Sequence, residues 1–349
     1  MVKLTWRGWL TIVTLILLTL VVIGAWPEIV SAWNMLDQVN LWILALLVPL
    51  QFISYYITGE IMFTYLRGKG HLYDMSRLKM TRTALELNFV NHVLPSGGAA
   101  GFSYFGWVLS RYGVRAGRAT MSQIIRYALT FVTFVILLVV AVIVLIADHQ
   151  MNRTTILLSF ILTLMTVGGM IGLVYVIGNQ VRIKKVARFV ARTANRLVSF
   201  FTAGRRQNFV KSSPIEDFFD ELHDDYLAIK RDKKLLRWPF IWAFVANIFD
   251  AILLWVAFGS LGYWLNPAIL FIAWGVASSV SALSVTPGGA GVYETIMIAV
   301  LASAGVKPDV AIAGTLLARI ALLMLTIVFG YVFYQFTIAK YGKRPPISQ

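Results

Sequence analysis

The chain has 349 residues, of which 58% are hydrophobic and only 13% charged, with a mean hydropathy of +0.74. No soluble surface accommodates that balance, so the composition predicts an integral membrane protein. Cysteine is absent, which excludes disulfides, thiolate metal sites and a Cys nucleophile, and the four histidines (His71, His92, His149, His223) are too scattered for a metal cluster. No G-x-x-x-x-G-K-[ST] loop occurs, so neither ATP hydrolysis nor any bound metal or other cofactor is expected. The net charge of +15 is read as cytoplasmic Lys and Arg flanking membrane spans, not as a nucleic-acid surface.

In chain order, residues 8–30 form the first span, preceded by Lys3 and Arg7, which places the N-terminus inside. The run is too long for a cleaved signal peptide and lacks a small-x-small exit. Residues 40–66 return to a basic stretch holding Arg67, Lys69, Arg77, Lys79 and Arg82. Two short apolar pieces follow, 83–94 and 99–110, separated by Pro95-Ser96-Gly97-Gly98. Each is too short to cross alone, and Pro followed by paired Gly cannot continue a helix. They are read as a re-entrant hairpin entering from the cytoplasm, with Arg111, Arg115 and Arg118 at its return. Spans at 116–147 and 154–180 come next.

Residues 181–237 carry 14 Lys/Arg against 7 Asp/Glu and form a cytoplasmic linker. Its first part, 181–203, alternates Val186, Phe189, Val190, Leu197 and Phe200 with Lys and Arg at helical spacing, the pattern of a helix lying on an anionic leaflet. Glu216 to Asp225 are read as an acidic surface of the linker. Residues 237–262 then cross outward, 267–285 and 290–304 form a second hairpin around Pro287-Gly288-Gly289, and 309–337 returns to a basic tail. On this topology both termini are cytoplasmic. Of 31 Lys/Arg, only Arg153 and Lys307 lie outside, and only Arg126 and Arg319 lie within spans.

An internal repeat underlies this order. With Pro95 set against Pro287, the Gly pairs align to within one residue, Gly113-Val114 matches Gly305-Val306, and Arg126 matches Arg319. Glu60 and Asp250 occupy similar places upstream. The first repeat covers 40–147 with its hairpin at 83–110, the second covers 238–337 with its hairpin at 267–304, and the two enter from opposite sides. The predicted fold is therefore all-α and polytopic: a single membrane domain over 1–349, with six full spans and two re-entrant hairpins in inverted repeat. Inverted repeats with broken helices near the midplane are the architecture of secondary transporters, whereas a duplication kept for structure alone predicts no shared site.

Each hairpin's second helix begins at the break, so its free N–H groups and positive dipole end face the interior as an anion site. Arg126 and Arg319 lie deep enough to need a partner or a phosphate. The buried acids Glu60, Glu86, Asp250 and Glu294, with Asn88, Asn91, His92, Asn247 and Tyr293 near them in sequence, either pair with these arginines or receive a cationic headgroup or a proton. His92 and Ser96 stand four apart, the spacing of an intramembrane Ser/His hydrolase, but share a face only in a helix that Pro95 interrupts.

The segment Thr286-Pro287-Gly288-Gly289-Ala290-Gly291-Val292-Tyr293-Glu294 resembles the PGG-x-G-x-x-E signature of the lysylphosphatidylglycerol synthase transmembrane region family. Asn91-His92-Val93-Leu94-Pro95-Ser96-Gly97-Gly98 resembles that family's earlier N-x-x-x-P-x-G-G segment. The likeness implies a flippase-like membrane protein that moves aminoacylated phosphatidylglycerol to the outer leaflet and so protects against cationic antimicrobial peptides. The matching residues are Asn91, Pro95, Gly97, Gly98, Pro287, Gly288, Gly289, Gly291 and Glu294. The family's soluble lysyl-transferring domain is expected to be missing, since the sequence ends at Gln349 just after the last span; no enzyme activity is therefore expected.

The expected function is translocation of an aminoacylated or other phosphate-containing phospholipid between leaflets of a bacterial-type cell membrane. Arg126, Arg319, Glu294, Glu60, Asp250, Glu86 and Asn91 form the substrate site, and the breaks at Pro95–Gly98 and Pro287–Gly291 shape it. Alternatives are a glycolipid or polyprenyl-phosphate cargo, or a non-transporting anchor for a lipid-modifying transferase.

Overall fold

The computed structural model describes residues 39–93, 99–147, 212–281 and 289–341, with isolated positions at 23, 30 and between 157 and 185. Among these residues every regular element is helical. A short helix α1 (Leu41–Ala45) leads into α2 (Leu47–Gly68), followed by α3 (Arg77–Val93), α4 (Ala99–Ser110) and α5 (Ala116–Ala147). After the linker come α6 (Ser212–Arg231), a 3-10 turn (Lys233–Leu236), α7 (Arg237–Ser260), α8 (Pro267–Ser281), α9 (Val292–Ser303) and α10 (Pro308–Tyr341).

Four helical stretches are long and apolar enough to cross a membrane: Leu41–Gly68, Ala116–Ala147, Lys233–Ser260 and Pro308–Tyr341. They match four of the six expected spans; 8–30, 154–180 and the amphipathic stretch 181–203 lie outside the described residues apart from those isolated positions. The first hairpin helix starts at Arg77 rather than at 83, because Arg77, Lys79 and Arg82 extend it as a polar first turn that hydropathy alone does not detect. In the second hairpin α9 starts at Val292, two residues later than expected, and α8 is described through Ser281.

The two repeats share their helix-ending chemistry. Gly113 (φ 74°) and Gly305 (φ 88°) stop α4 and α9 in the left-handed region. In each case the next Val N–H bonds back to a carbonyl five residues earlier, Val114 to Leu109 at 3.2 Å and Val306 to Leu301 at 3.0 Å. Gly70 and Gly262 end α2 and α7 in the same way, with His71 donating to Leu66 and Tyr263 to Phe258.

Packing sets α2 and α7, the helices that open the two halves, antiparallel. The end of α2 meets the approach to α7 at Gly68 and Leu235, while Asn40 N–H donates to Ser260 at the far end of α7, 2.7 Å. Tyr112, in the turn between α4 and α5, meets Tyr341 at the end of α10, 3.1 Å between hydroxyls. Each hairpin also packs on the long helix of the other repeat. Phe89 of α3 stacks near Tyr334 of α10 and fills the space beside Gly330, and Phe271 of α8 stacks on Phe134 of α5 at 4.9 Å. Close approach at Gly330 and at Gly314, which faces Phe258, is how packed apolar helices gain dispersion contact where hydrocarbon offers no hydrophobic drive.

One end of this bundle carries Arg67, Lys69, Arg77, Lys79, Arg111, Arg115, Arg118, Arg237 and Lys340, whereas the other carries Lys307 alone among the described residues. The helix α6 caps the basic end. Its residues Glu221 and Asp225 do not form an acidic surface as the sequence implies. Asp225 is 2% exposed and holds Lys69 at 3.1 Å and Arg118 at 3.6 Å. Glu221 reaches Arg115 at 3.7 Å and accepts from the Gly117 N–H at 3.0 Å. The free N–H groups at the start of a long helix attract a carboxylate, which explains the inward turn.

Candidate functional site

A cavity of about 350 Å³ lies where the two repeats meet. The helix α2 lines it with Gln51, Ser54, Tyr55 and Thr58, which recur at three- and four-residue spacing on one face of an otherwise apolar span. The end of α3 contributes Asn88 and His92, α5 Arg126 and Thr130, α7 Asp250, the end of α8 Ser278 and Ser281, the start of α9 Tyr293, and α10 Arg319 and Thr326. Helices of both hairpins thus line one chamber.

Arg126 is 7% exposed, its guanidinium carbon lies 4.4 Å from the Tyr127 ring centroid, and its Nε has no hydrogen-bond partner among the described residues. No carboxylate lies within 4.0 Å of it among the described residues. Removing a guanidinium from water without a counter-charge costs several kcal/mol, by roughly the penalty of any unpaired buried ion. Such a group is retained where an anion completes it.

Arg319 occupies the matching position in the second repeat but is already occupied. Its Nε lies 2.9 Å from Glu294 Oε1 and its guanidinium sits 4.7 Å from the Tyr293 ring centroid. Asp250 lines the same chamber beside Ser54 and forms no ion pair within 4.0 Å among the described residues. Arg126 attracts it electrostatically from beyond that distance. The chamber therefore holds a guanidinium and a carboxyl group of the protein that do not pair directly.

Side-chain hydrogen bonds tie the helices around the chamber together. Gln51 donates to the Tyr55 hydroxyl at 2.9 Å, and Tyr55 meets the Thr326 hydroxyl, joining α2 to α10. Asn247 Nδ2 donates to Thr130 O at 2.9 Å and to Thr133 Oγ1 at 2.8 Å, joining α7 to α5 one turn from Asp250. The His92 ring meets the Asn88 carbonyl at 2.8 Å, an interaction within its own helix.

Other residues expected at the site stand elsewhere. Glu86 binds Arg82, the Tyr104 hydroxyl and the Thr337 hydroxyl, each at 2.7 Å, and so ties α3, α4 and α10 together away from the cavity. Glu60 faces Arg67 at 3.8 Å. Asn91 packs at the α3/α4 contact, where a Cβ added to Gly101 would lie 2.0 Å from its Oδ1. Neither Glu60 nor Asn91 lines the chamber. Pro95, Ser96, Gly97, Gly98, Pro287 and Gly288 fall outside the described residues.

The sequence profile of the lysylphosphatidylglycerol synthase TM region matches residues 9–330. The chain belongs to that family. Among curated proteins it resembles the UPF0104 membrane protein MJ1595 of Methanocaldococcus jannaschii, at 22% identity over 251 residues that cover 70% of each chain. No solved structure matches it. With several long apolar helices in addition to this family membership, the chain is a multi-pass membrane protein.

The second of the two glycine motifs acquires a physical role within this family fold. Gly289 (φ 73°) passes so close to Ser281 that a Cβ would lie 2.6 Å from the serine Cβ, and Gly291 (φ 82°) turns the chain into α9. Glu294 then accepts the Gly291 N–H at 2.7 Å with one oxygen and Arg319 with the other. The signature's glutamate is thus both a helix cap and the counter-ion of the second-repeat arginine. Sequence reasoning missed Ser54, Tyr55, Tyr127 and Ser278 as neighbours of the charged groups. The polar face of α2 was the available signal for the first two, and spatial adjacency across repeats has no linear signature for the others.

Proposed function

We propose that the protein translocates a phosphate-bearing lipid between leaflets, using the chamber between its repeats as the headgroup site. The observation that carries this reading is Arg126, a buried guanidinium without a carboxylate within 4.0 Å among the described residues, facing a cavity lined by helices of both hairpins. The lipid phosphate completes Arg126, and Arg319 adds field from its pair with Glu294. Asp250, on the same wall, receives a cationic headgroup such as the lysyl group of lysyl-phosphatidylglycerol. A zwitterionic or aminoacylated headgroup therefore suits the chamber's separated charges better than a plain anion.

The antiparallel setting of α2 and α7 supports alternation, since interchange of two similar packings exposes one site to either side. The short helices act as re-entrant hairpins from opposite faces, and the basic end is cytoplasmic by the positive-inside rule, in a bacterial-type cell membrane. The test is flipping in proteoliposomes of lysyl-phosphatidylglycerol, phosphatidylglycerol and a neutral glycolipid. Lysyl-phosphatidylglycerol moving fastest is the expected outcome. Preferential glycolipid movement would transfer the site to a different cargo, and no movement of any lipid would favour a non-transporting anchor for a transferase.

A further inference from the structure

Away from the central chamber, a groove of about 520 Å³ opens at the basic end between α6, the 3-10 turn and the first turns of α7. Its interior is hydrocarbon, with Ile229, Leu236 and Phe240 as the principal walls, and its rim carries Lys230, Lys233 and Arg237. All three cations are exposed, and none of them forms an ion pair within 4.0 Å among the described residues. The nearby Asp232 is committed to capping the 3-10 turn, accepting from Lys234 N–H at 3.0 Å.

Two features define what fits. The groove continues onto exposed Ile241, with Trp238, 59% exposed, on the same first turns of α7. Trp at that level marks the membrane interface. The groove also offers no array of neutral donors and acceptors to orient a soluble metabolite, although its volume lies within the roughly 300–1,000 Å³ of small-molecule sites. An apolar tail and an anionic head satisfy the walls and the rim together.

We infer that this groove is a binding site for an anionic phospholipid of the adjacent leaflet, with an acyl chain along Ile229, Leu236 and Phe240 and the phosphate among Lys230, Lys233 and Arg237. The site is separate from the translocation chamber and does not require transport. Lysine and arginine near an anionic lipid surface are each worth on the order of fivefold in binding.

The test uses the full chain in nanodiscs with Arg126→Met as background, so that the central chamber does not contribute. Photoactivatable phosphatidylglycerol or phosphatidylcholine is cross-linked, and the modified peptides are mapped. The expected result is phosphatidylglycerol on residues 226–241, reduced at least about tenfold by Lys230→Gln/Lys233→Gln/Arg237→Gln. Ile229→Trp, which fills the groove and leaves the rim intact, should displace it equally. Equal labelling by both lipids overturns the site. Loss in the charge variant with no loss in Ile229→Trp also overturns it, because that pattern belongs to diffuse surface attraction. A melting curve for each variant separates displacement from unfolding.

Discussion

Arg126 and Arg319 occupy equivalent places in the two repeats yet differ in what their removal leaves behind. Arg319→Met strands Glu294, a carboxylate whose side chain is 10% exposed and whose pair at 2.9 Å is lost. Breaking a buried pair on one side costs roughly 3–5 kcal/mol, and the surviving bond from Gly291 N–H to Glu294 puts the expected loss at the lower end, about 3 kcal/mol. Arg126→Met strands no carboxylate within 4.0 Å and removes an unpaired buried charge, so it is expected to be neutral or to stabilise by about 1 kcal/mol. Thermal melts of the two variants in one detergent read the difference directly. The double variant Arg319→Met/Glu294→Gln should recover part of the loss, because the stranded charge is then neutral. Destabilisation by Arg126→Met as large as that by Arg319→Met would refute the assignment of Arg126 as an open anion site.

Four further expectations follow from the geometry. Gly291→Ala should cost about 1–3 kcal/mol from backbone strain at positive φ, since an added Cβ meets nothing within 4 Å; a melt checks this. Glu86→Gln should lose roughly 1.5–3 kcal/mol of stability yet keep its flipping rate in proteoliposomes, because Glu86 lies outside the chamber. Asp225→Asn should loosen α6 by about 2–3 kcal/mol through lost bonds to Lys69 and Arg118, visible as faster amide exchange in 212–231. His71 packs on the Arg118 guanidinium near Asp225 and Lys69. Burial first, then Arg118, lower its pKa below the ordinary 6.5. The unfolded chain therefore takes up this proton first on acidification, so the ring's contribution is intact above pH 6.5 and declines as pH falls below it. His71→Gln should flatten that slope in melts between pH 7.5 and 5.5.

Particular residues show how far the chain could be read in advance. Glycine punctuation at Gly113 and Gly305 and the two short apolar pairs are local chemistry, so element order was legible. The start of α3 was not, since Arg77 to Arg82 form a polar helical turn that hydropathy treats as loop. Glu221 and Asp225 misled for the reverse reason: their acidic neighbours read as solvated, while the open N-terminus of α5 draws Glu221 inward and the cations Lys69 and Arg118 hold Asp225. At the site, Arg126, Arg319 and Asp250 were legible because charge in an apolar span is conspicuous. Their separation into one paired and one open arginine was not, because it depends on how α9 turns Glu294 onto Arg319 and on the distance between α5 and α7, neither of which sequence spacing shows.

The central claim is that one chamber is reached from both leaflets. The chain has no cysteine of its own, so Ser278→Cys places a single thiol on the cavity wall. Labelling by a membrane-impermeant thiol reagent, applied separately to each face of oriented vesicles, is the direct measurement. Reaction from both faces, slowed by lysyl-phosphatidylglycerol and no longer slowed in Arg126→Met, is the predicted result. Reaction from one face only, in the presence and absence of lipid, would contradict translocation through this chamber.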